Sequence, residues 1–158
     1  MNFNFTSQIC TSHDQSERLL ALGLKKETAD MHYYHTVDFE GNEVWYPSII
    51  PYENVVLASD FVGETEICLE NNTIPAWSLH RLIEMMPCGF QDVDYRSFVL
   101  CINSQGVSYE YHFVDEDGNG YSETDGVLEL FDNLYDDIIA HIEWLIKEEH
   151  FNKDYLEE

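Results

Sequence analysis

The C-terminal part of the chain carries the strongest constraint on folding, because apolar residues recur there at intervals of three and four. Two rows of apolar residues run along 127–149: Val127, Phe131, Leu134, Ile138, Ile142 and Leu145, and Leu128, Tyr135, Ile139 and Ile146. Both rows fall on one broad face of an α-helix, and acidic residues occupy the opposite face. Such a helix would be about 35 Å long. The pattern predicts a long amphipathic helix against which the rest of the chain packs.

The N-terminal region contains signals for two short helices. Ser12 and Gln15 have the spacing of a capping box at the start of a helix over 13–22. Gly23 is well placed to end that helix in the left-handed conformation. A second short helix is predicted over 26–32.

The middle of the chain changes to the alternating pattern of strands. Val37 and Phe39 precede a Gly41-Asn42 turn, and Val44 and Tyr46 follow it, which predicts a hairpin. Further strands are predicted over 55–57 and 65–69.

A helix is then predicted over 74–86, with Pro75 in its first turn. The strongest hairpin signal joins 95–102 to 107–114 through a polar turn at 103–106. An acidic loop over 115–126 leads into the final helix.

This order of elements indicates an α+β fold, because strands joined by tight turns pair antiparallel and the helices lie outside those pairs. The prediction is one antiparallel sheet with two short N-terminal helices, a middle helix and the long C-terminal helix packed on it. One globular domain is expected over 1–158, with 1–11 loosely ordered and 150–158 a frayed tail.

The charge balance is the most unusual feature of the composition. The chain has 31 Asp and Glu residues against 7 Lys and Arg residues, and its formal net charge is −24. Nucleic acids and anionic membranes bind through cationic contacts, so neither is an expected partner. A basic protein surface or a metal cation is favoured, and simple solubility is the alternative explanation.

The cysteines and the N-terminus indicate a reducing compartment. Cys10, Cys68, Cys88 and Cys101 form no C-x-x-C pair, and the N-terminus lacks the basic and apolar regions of a signal peptide. Apolar stretches long enough to span a membrane are absent from the sequence. A cytoplasmic location with reduced thiols is therefore expected.

The acidic loop contains half of a calcium-binding motif. Asp115, Asp117 and Asn119 match the first, third and fifth positions of an EF-hand loop, and Glu123 matches the ninth. The twelfth position, which normally supplies a bidentate Glu, is Gly126. The sequence leaves two readings open, a calcium site and an ordinary acidic turn.

Signals for catalysis or for other metals are weak. His32 and His35 form an H-x-x-H pair that would share one face of a helix, but ordinary packing or surface histidines are the simpler interpretation. Cys101 lies inside an apolar strand and is predicted to be buried and unreactive. Phosphate-binding, dinucleotide-binding and nucleophile-elbow motifs are absent, so neither catalytic residues nor a cofactor are predicted.

Two sets of residues are candidates for contacting a partner. Trp45 and Tyr46 belong to an aromatic group near Pro47 and Pro51, which forms either a peptide-binding groove or a small satellite core. Acidic residues of the final helix region provide the second set: Asp132, Asp136 and Asp137.

Three segments carry a resemblance: QSERLLALGLKKETADM over 15–31, IPAWSLHRLIEMMP over 74–87 and LYDDIIAHIEWLIKEEH over 134–150. They resemble segments of small uncharacterised acidic proteins of gut bacterial genomes and their phages or mobile elements. The resemblance implies a phage or mobile-element association and no particular activity.

The sequence favours a non-enzymatic, cytoplasmic protein-interaction module whose acidic surface engages a basic protein. Three alternatives stay open: a calcium-binding module using the acidic loop, a nucleic-acid mimic that inhibits a basic protein, and an enzyme without a recognisable motif. The oligomeric state is not indicated.

Overall fold

The computed structural model describes residues 8–37, 40–49, 73–103, 106–127, 131 and 133–157. Contacts divide the chain into an N-terminal unit, Met1–Arg81, and a C-terminal unit, Leu82–Leu156. The fold class is α+β with antiparallel strands, as predicted, but the described strands form two sheets and not one. In the described ranges, helices with the length and apolar character needed to cross a membrane do not occur.

The first helix, α1, spans His13–Ala21 and confirms the predicted capping box. Ser12 Oγ accepts a hydrogen bond from Gln15 N, and Gln15 Oε1 accepts one from Ser12 N at 2.9 Å. Gly23 follows the helix with a φ of +89°, a conformation that glycine adopts without strain.

The second predicted helix, over 26–32, is wrong. Only a 3₁₀ turn forms, Lys26–Thr28, and a strand begins at Met31. Thr28 Oγ1 donates to the Lys25 carbonyl at 2.7 Å and accepts from Trp77 Nε1 at 2.9 Å, so its side chain fixes a turn. The aromatic and β-branched residues that follow favour a strand.

The N-terminal unit contains a three-stranded antiparallel sheet in the order β2-β1-β3. The strands are β1 (Met31–Val37), β2 (Glu43–Ser48) and β3 (Thr73–Ala76). The pairing of β1 with β2 confirms the predicted hairpin around Gly41-Asn42. The strands predicted over 55–57 and 65–69 lie outside the described residues.

The predicted middle helix starts later than expected. Residues 73–76 are β3, and the helix, α2, spans Leu79–Met85. Ser78 Oγ accepts a hydrogen bond from Arg81 N at 3.1 Å, and Ser78 N donates to Asp30 Oδ1 at 2.8 Å. This side-chain cap places the helix start after Trp77, which is itself buried.

The C-terminal unit contains a four-stranded antiparallel sheet in the order β4-β5-β6-β7. The strands are β4 (Gly89–Gln91), β5 (Ser97–Asn103), β6 (Gly106–Val114) and β7 (Gly120–Asp125). The pairing of β5 with β6 confirms the predicted hairpin, whereas β7 occupies half of the predicted acidic loop.

The C-terminal helix, α3, spans Leu134–Lys147 and packs on β6. It is shorter than the predicted 127–149, because Asn133 Oδ1 accepts a hydrogen bond from Asp136 N at 2.9 Å and caps the helix. Its 14 residues are about 21 Å long. Its buried face includes Ile138, Ile142 and Leu145, from the predicted apolar rows.

An aromatic cluster joins the sheet to the end of α3 in the C-terminal unit. Phe90 stacks on Phe98 and on His150, with ring centroids 5.3 and 4.2 Å apart, and Tyr109 is fully buried beside Trp144. After α3, Phe151 is buried and a 3₁₀ turn forms over Lys153–Tyr155. In the described part of the tail, Phe151 is thus buried, while Asn152, Lys153 and Asp154 are exposed.

Candidate functional site

The calcium candidates lie on a tight turn and a strand. Asp115 Oδ1 accepts hydrogen bonds from Asp117 N and Asn119 N at 3.0 and 2.8 Å, and Asp115 Oδ2 accepts from Asn119 Nδ2 at 3.0 Å. The Asn119 hydrogen bonds are the main reason that the pKa of Asp115 is lowered. The Asp115 carboxylate thus holds the turn between β6 and β7.

Glu123 lies within β7 and is engaged by an arginine. Arg96 Nη1 contacts Glu123 Oε2 at 2.5 Å, and Arg96 Nη2 contacts Asp92 Oδ2 at 2.6 Å. Among the described residues, the acidic groups of the predicted calcium set are not brought together as metal ligands. The calcium hypothesis remains a prediction.

The predicted partner-binding residues lie in different environments. Trp45 and Tyr46 lie on β2 and are 40% and 45% exposed. Asp136 lies in the first turn of α3 and is partly exposed, and Asp132 is outside the described residues.

Asp137 is buried, so the prediction that it contacts a partner at the surface is corrected. It is only 7% exposed, and its Oδ2 accepts a hydrogen bond from Val107 N at 2.7 Å. Its Oδ1 lies 3.1 Å from Nδ1 of His141, which is fully buried. The acid therefore joins α3 to the start of β6.

The H-x-x-H pair lies in β1 and not in a helix. His32 and His35 therefore do not share one helix face, which was the basis for suggesting that they bind one metal ion. His32 is 6% exposed, and its Nε2 is buried without a hydrogen-bond partner in the described structure.

A mixed cluster of metal-ligand types occurs on the four-stranded sheet. Cys101 lies on β5, and Glu110 and His112 lie on β6. Cys101 pairs with Ser108, two residues before Glu110, so all three positions share one face of the sheet. The core residues Phe98 and Tyr109 occupy the alternate positions of the two strands.

The ligand atoms of this Cys-Glu-His cluster all lie within 4.8 Å of one another. His112 Nε2 is 3.4 Å from Glu110 Oε2, and Ser108 Oγ donates to Glu110 Oε1 at 3.0 Å. Burial, and then the Glu110 charge, raises the pKa of the Cys101 thiol. Cys101 is partly exposed, so the prediction that it is buried is wrong.

An open recess of about 360 Å³ adjoins the cluster at the free end of the β6–β7 hairpin. His112 is common to both, and its side chain is 60% exposed. The lining residues are His112, Phe113, Val114, Gly120, Tyr121 and Ser122. Small molecules in solution can therefore reach the imidazole.

The Cys-Glu-His cluster is not apparent in the sequence, because its members come from two strands. The available signal was Glu110-x-His112, two ligand types on the same face of a predicted strand. Adding Cys101 requires the register of the hairpin, which places Cys101 opposite Ser108.

Comparison with known proteins does not identify a relative: no protein-family model, curated protein or solved structure matches this chain.

Proposed function

We propose that this protein is a non-enzymatic interaction module that binds a basic protein surface through its acidic exterior. The observation that carries the proposal is the net charge of −24. An exterior of this kind attracts a cationic partner over a distance and speeds their association.

The ion pairs of the C-terminal unit support this proposal. Its lysines and arginines are Arg96, Lys147 and Lys153. Arg96 is held by Asp92 and Glu123, and Lys147 Nζ lies 3.9 Å from Glu148 Oε1. The unit's own cations thus neutralise few of its carboxylates. Glu116 and Asp117, at the tip of the β6–β7 hairpin, are exposed acids that a basic partner would reach.

The exposed aromatic residues of β2 support a protein as the partner. Trp45 and Tyr46 are each partly accessible to solvent, and aromatic residues of this kind are enriched at the centres of protein interfaces. The resemblance to proteins of phages and mobile elements suggests a host protein as the partner, including one whose basic site normally holds nucleic acid.

The test is capture from a bacterial host lysate, followed by titration of each purified candidate at low and moderate salt. We expect a basic partner whose affinity falls as sodium chloride rises, because salt screens exposed charges. The double variant Glu116→Gln/Asp117→Asn should bind about fivefold more weakly. Glu17→Gln, an exposed acid of α1, is the matched control.

Two further measurements refine the result. Trp45→Ala should weaken binding without changing its salt dependence, because it removes contact area and not charge. Release of the partner by added DNA would identify a nucleic-acid site as the target. Affinity that does not change with salt, or an acidic partner, would contradict the proposal.

A further inference from the structure

We propose that Cys101, Glu110 and His112 form a binding site for one divalent transition-metal ion of the zinc class. Metal coordination at this site is independent of the proposed binding of a basic protein. It rests on the joint placement of three ligand types by the hairpin of β5 and β6.

The donor set selects the class of ion. Thiolate sulfur, imidazole nitrogen and carboxylate oxygen are the ligands of Zn²⁺ and its neighbours, whereas Ca²⁺ and Mg²⁺ prefer oxygen alone. The sulfur ligand therefore gives this site a preference for zinc-class ions. The many exposed carboxylates of the chain bind hard cations instead, weakly and without a fixed coordination geometry.

The distances in the cluster fit a shared ion. Two ligands held about 2.0–2.1 Å from a tetrahedral Zn²⁺ are roughly 3.4 Å apart. His112 Nε2 and Glu110 Oε2 are separated by 3.4 Å. The three ligand atoms lie within 4.8 Å of one another, so small side-chain rotations bring the Cys101 sulfur to the same ion.

The surroundings of the cluster complete the site. Ser108 Oγ donates to the second carboxylate oxygen of Glu110 at 3.0 Å, and this bond orients the carboxylate as outer-shell partners of metal ligands do. Three protein ligands leave a fourth position for water on a zinc ion, and the 60% exposure of the His112 side chain keeps this ligand accessible to solvent.

The competing explanation is a surface hydrogen bond between Glu110 and His112 with an incidental cysteine nearby. The two explanations differ in what happens when Zn²⁺ or Co²⁺ alone is added to the reduced, metal-free, full-length protein. Excess Mg²⁺ in every sample occupies the exposed carboxylates, so only a site with nitrogen and sulfur ligands is measured.

We expect one equivalent of Zn²⁺ to bind in competition with a chromophoric chelator. Bound Co²⁺ should show the near-ultraviolet absorption of a cobalt–thiolate bond. Cys101→Ser and His112→Gln should each weaken Zn²⁺ binding about tenfold or more. Cys101→Ser should also abolish the thiolate absorption, and Glu110→Gln provides a third ligand variant.

Cys88→Ser and His80→Gln are matched controls, because they make the same changes at exposed positions outside the cluster. Both should bind like the unchanged protein. Zn²⁺ should raise the melting temperature of the unchanged protein and of the controls but not that of the ligand variants. The same melting curves show whether each variant is folded.

Two results would overturn the site. One is Zn²⁺ affinity that is equal in the unchanged protein and in a folded Cys101→Ser/His112→Gln double variant. The other is Co²⁺ binding without thiolate absorption, which would place the ion on carboxylates alone.

Discussion

His32 illustrates how one buried side chain can make stability depend on pH. Its burial lowers the pKa of the imidazole below the ordinary value of 6.5. The folded protein therefore holds His32 neutral, while the unfolded chain takes up a proton near pH 6.5. Stability from this residue is complete above that pH and is lost as the pH falls toward the folded pKa.

We predict that the melting temperature falls between pH 7 and pH 5, and that His32→Gln reduces this dependence. Glutamine cannot take up the proton in either state, so the slope of melting temperature against pH is the readout. His80→Gln, at an exposed position, should keep the original slope. An unchanged slope in His32→Gln would show that other groups control the acid response.

Asp137 shows that the helical pattern of the sequence does not determine whether a given acid is buried or exposed. Sequence patterns placed it on the acidic face of the final helix, together with Asp136. The structure separates the two, because Asp137 accepts a hydrogen bond from Val107 N, at the start of β6. A buried acid of this kind is recognised only when the neighbouring strand is in place.

At the scale of elements, the start of β6 depends on a glycine for two reasons. Gly106 has a φ of +132°, and a Cβ at this position would overlap Asp137 Oδ2. Gly118, in the β6–β7 turn, has a φ of +84° but faces open space. Comparing substitutions at the two glycines therefore distinguishes the cost of backbone strain from the cost of disturbing the contact between β6 and α3.

We predict that Gly106→Ala lowers the free energy of unfolding by about 3 kcal/mol, from strain and a disturbed buried hydrogen bond. Gly118→Ala should lower it by about 1 kcal/mol, because only the backbone is strained. Denaturant unfolding of both variants measures the difference. Equal losses would show that Asp137 moves aside at little cost.

Elements with a complete local signal were predicted, and those that depend on distant partners were not. The capping box of α1 and the hairpin of β5 and β6 carry their own spacing and turn residues. The region 26–32 was mistaken for a helix because Thr28 is fixed by Trp77, which is remote in sequence. Strand β7 was missed because its acidic residues resemble a loop.

The same distinction applies to the Cys-Glu-His cluster. Glu110 and His112 were visible as neighbours on a strand, but Cys101 joins them only across the hairpin.

In the turn between β6 and β7, Asp115 Oδ1 accepts hydrogen bonds from the backbone N–H groups of Asp117 and Asn119, and Glu123 forms an ion pair with Arg96. The Glu123 ion pair also joins residues remote in sequence and has no local sequence signal, and the calcium hypothesis stays a prediction.

For the whole molecule, the main consequence of the composition is electrostatic self-repulsion. A net charge of −24 on a chain of 158 residues places like charges within reach of one another at low ionic strength. The screening length falls from about 30 Å at 0.01 M salt to about 8 Å at 0.15 M.

We predict that the melting temperature rises as sodium chloride is raised from 0.01 M to 0.15 M. Scanning calorimetry at constant pH measures the change. A neutral solute at equal osmolarity is the control, since it does not screen charge. A flat response to salt would indicate that the carboxylates are already spaced widely enough to avoid repulsion.

The acidic residues of β7 also protect the edge of the sheet against pairing with other chains. In the described sheet, β7 is an edge strand, and Glu123 and Asp125 belong to it. Charged edges discourage other chains from adding strands. Near the isoelectric point of about 4.2, much of that charge is lost. Storage in acidic buffer should therefore favour fibrous or amorphous deposits, which makes neutral pH the condition of choice for handling the protein.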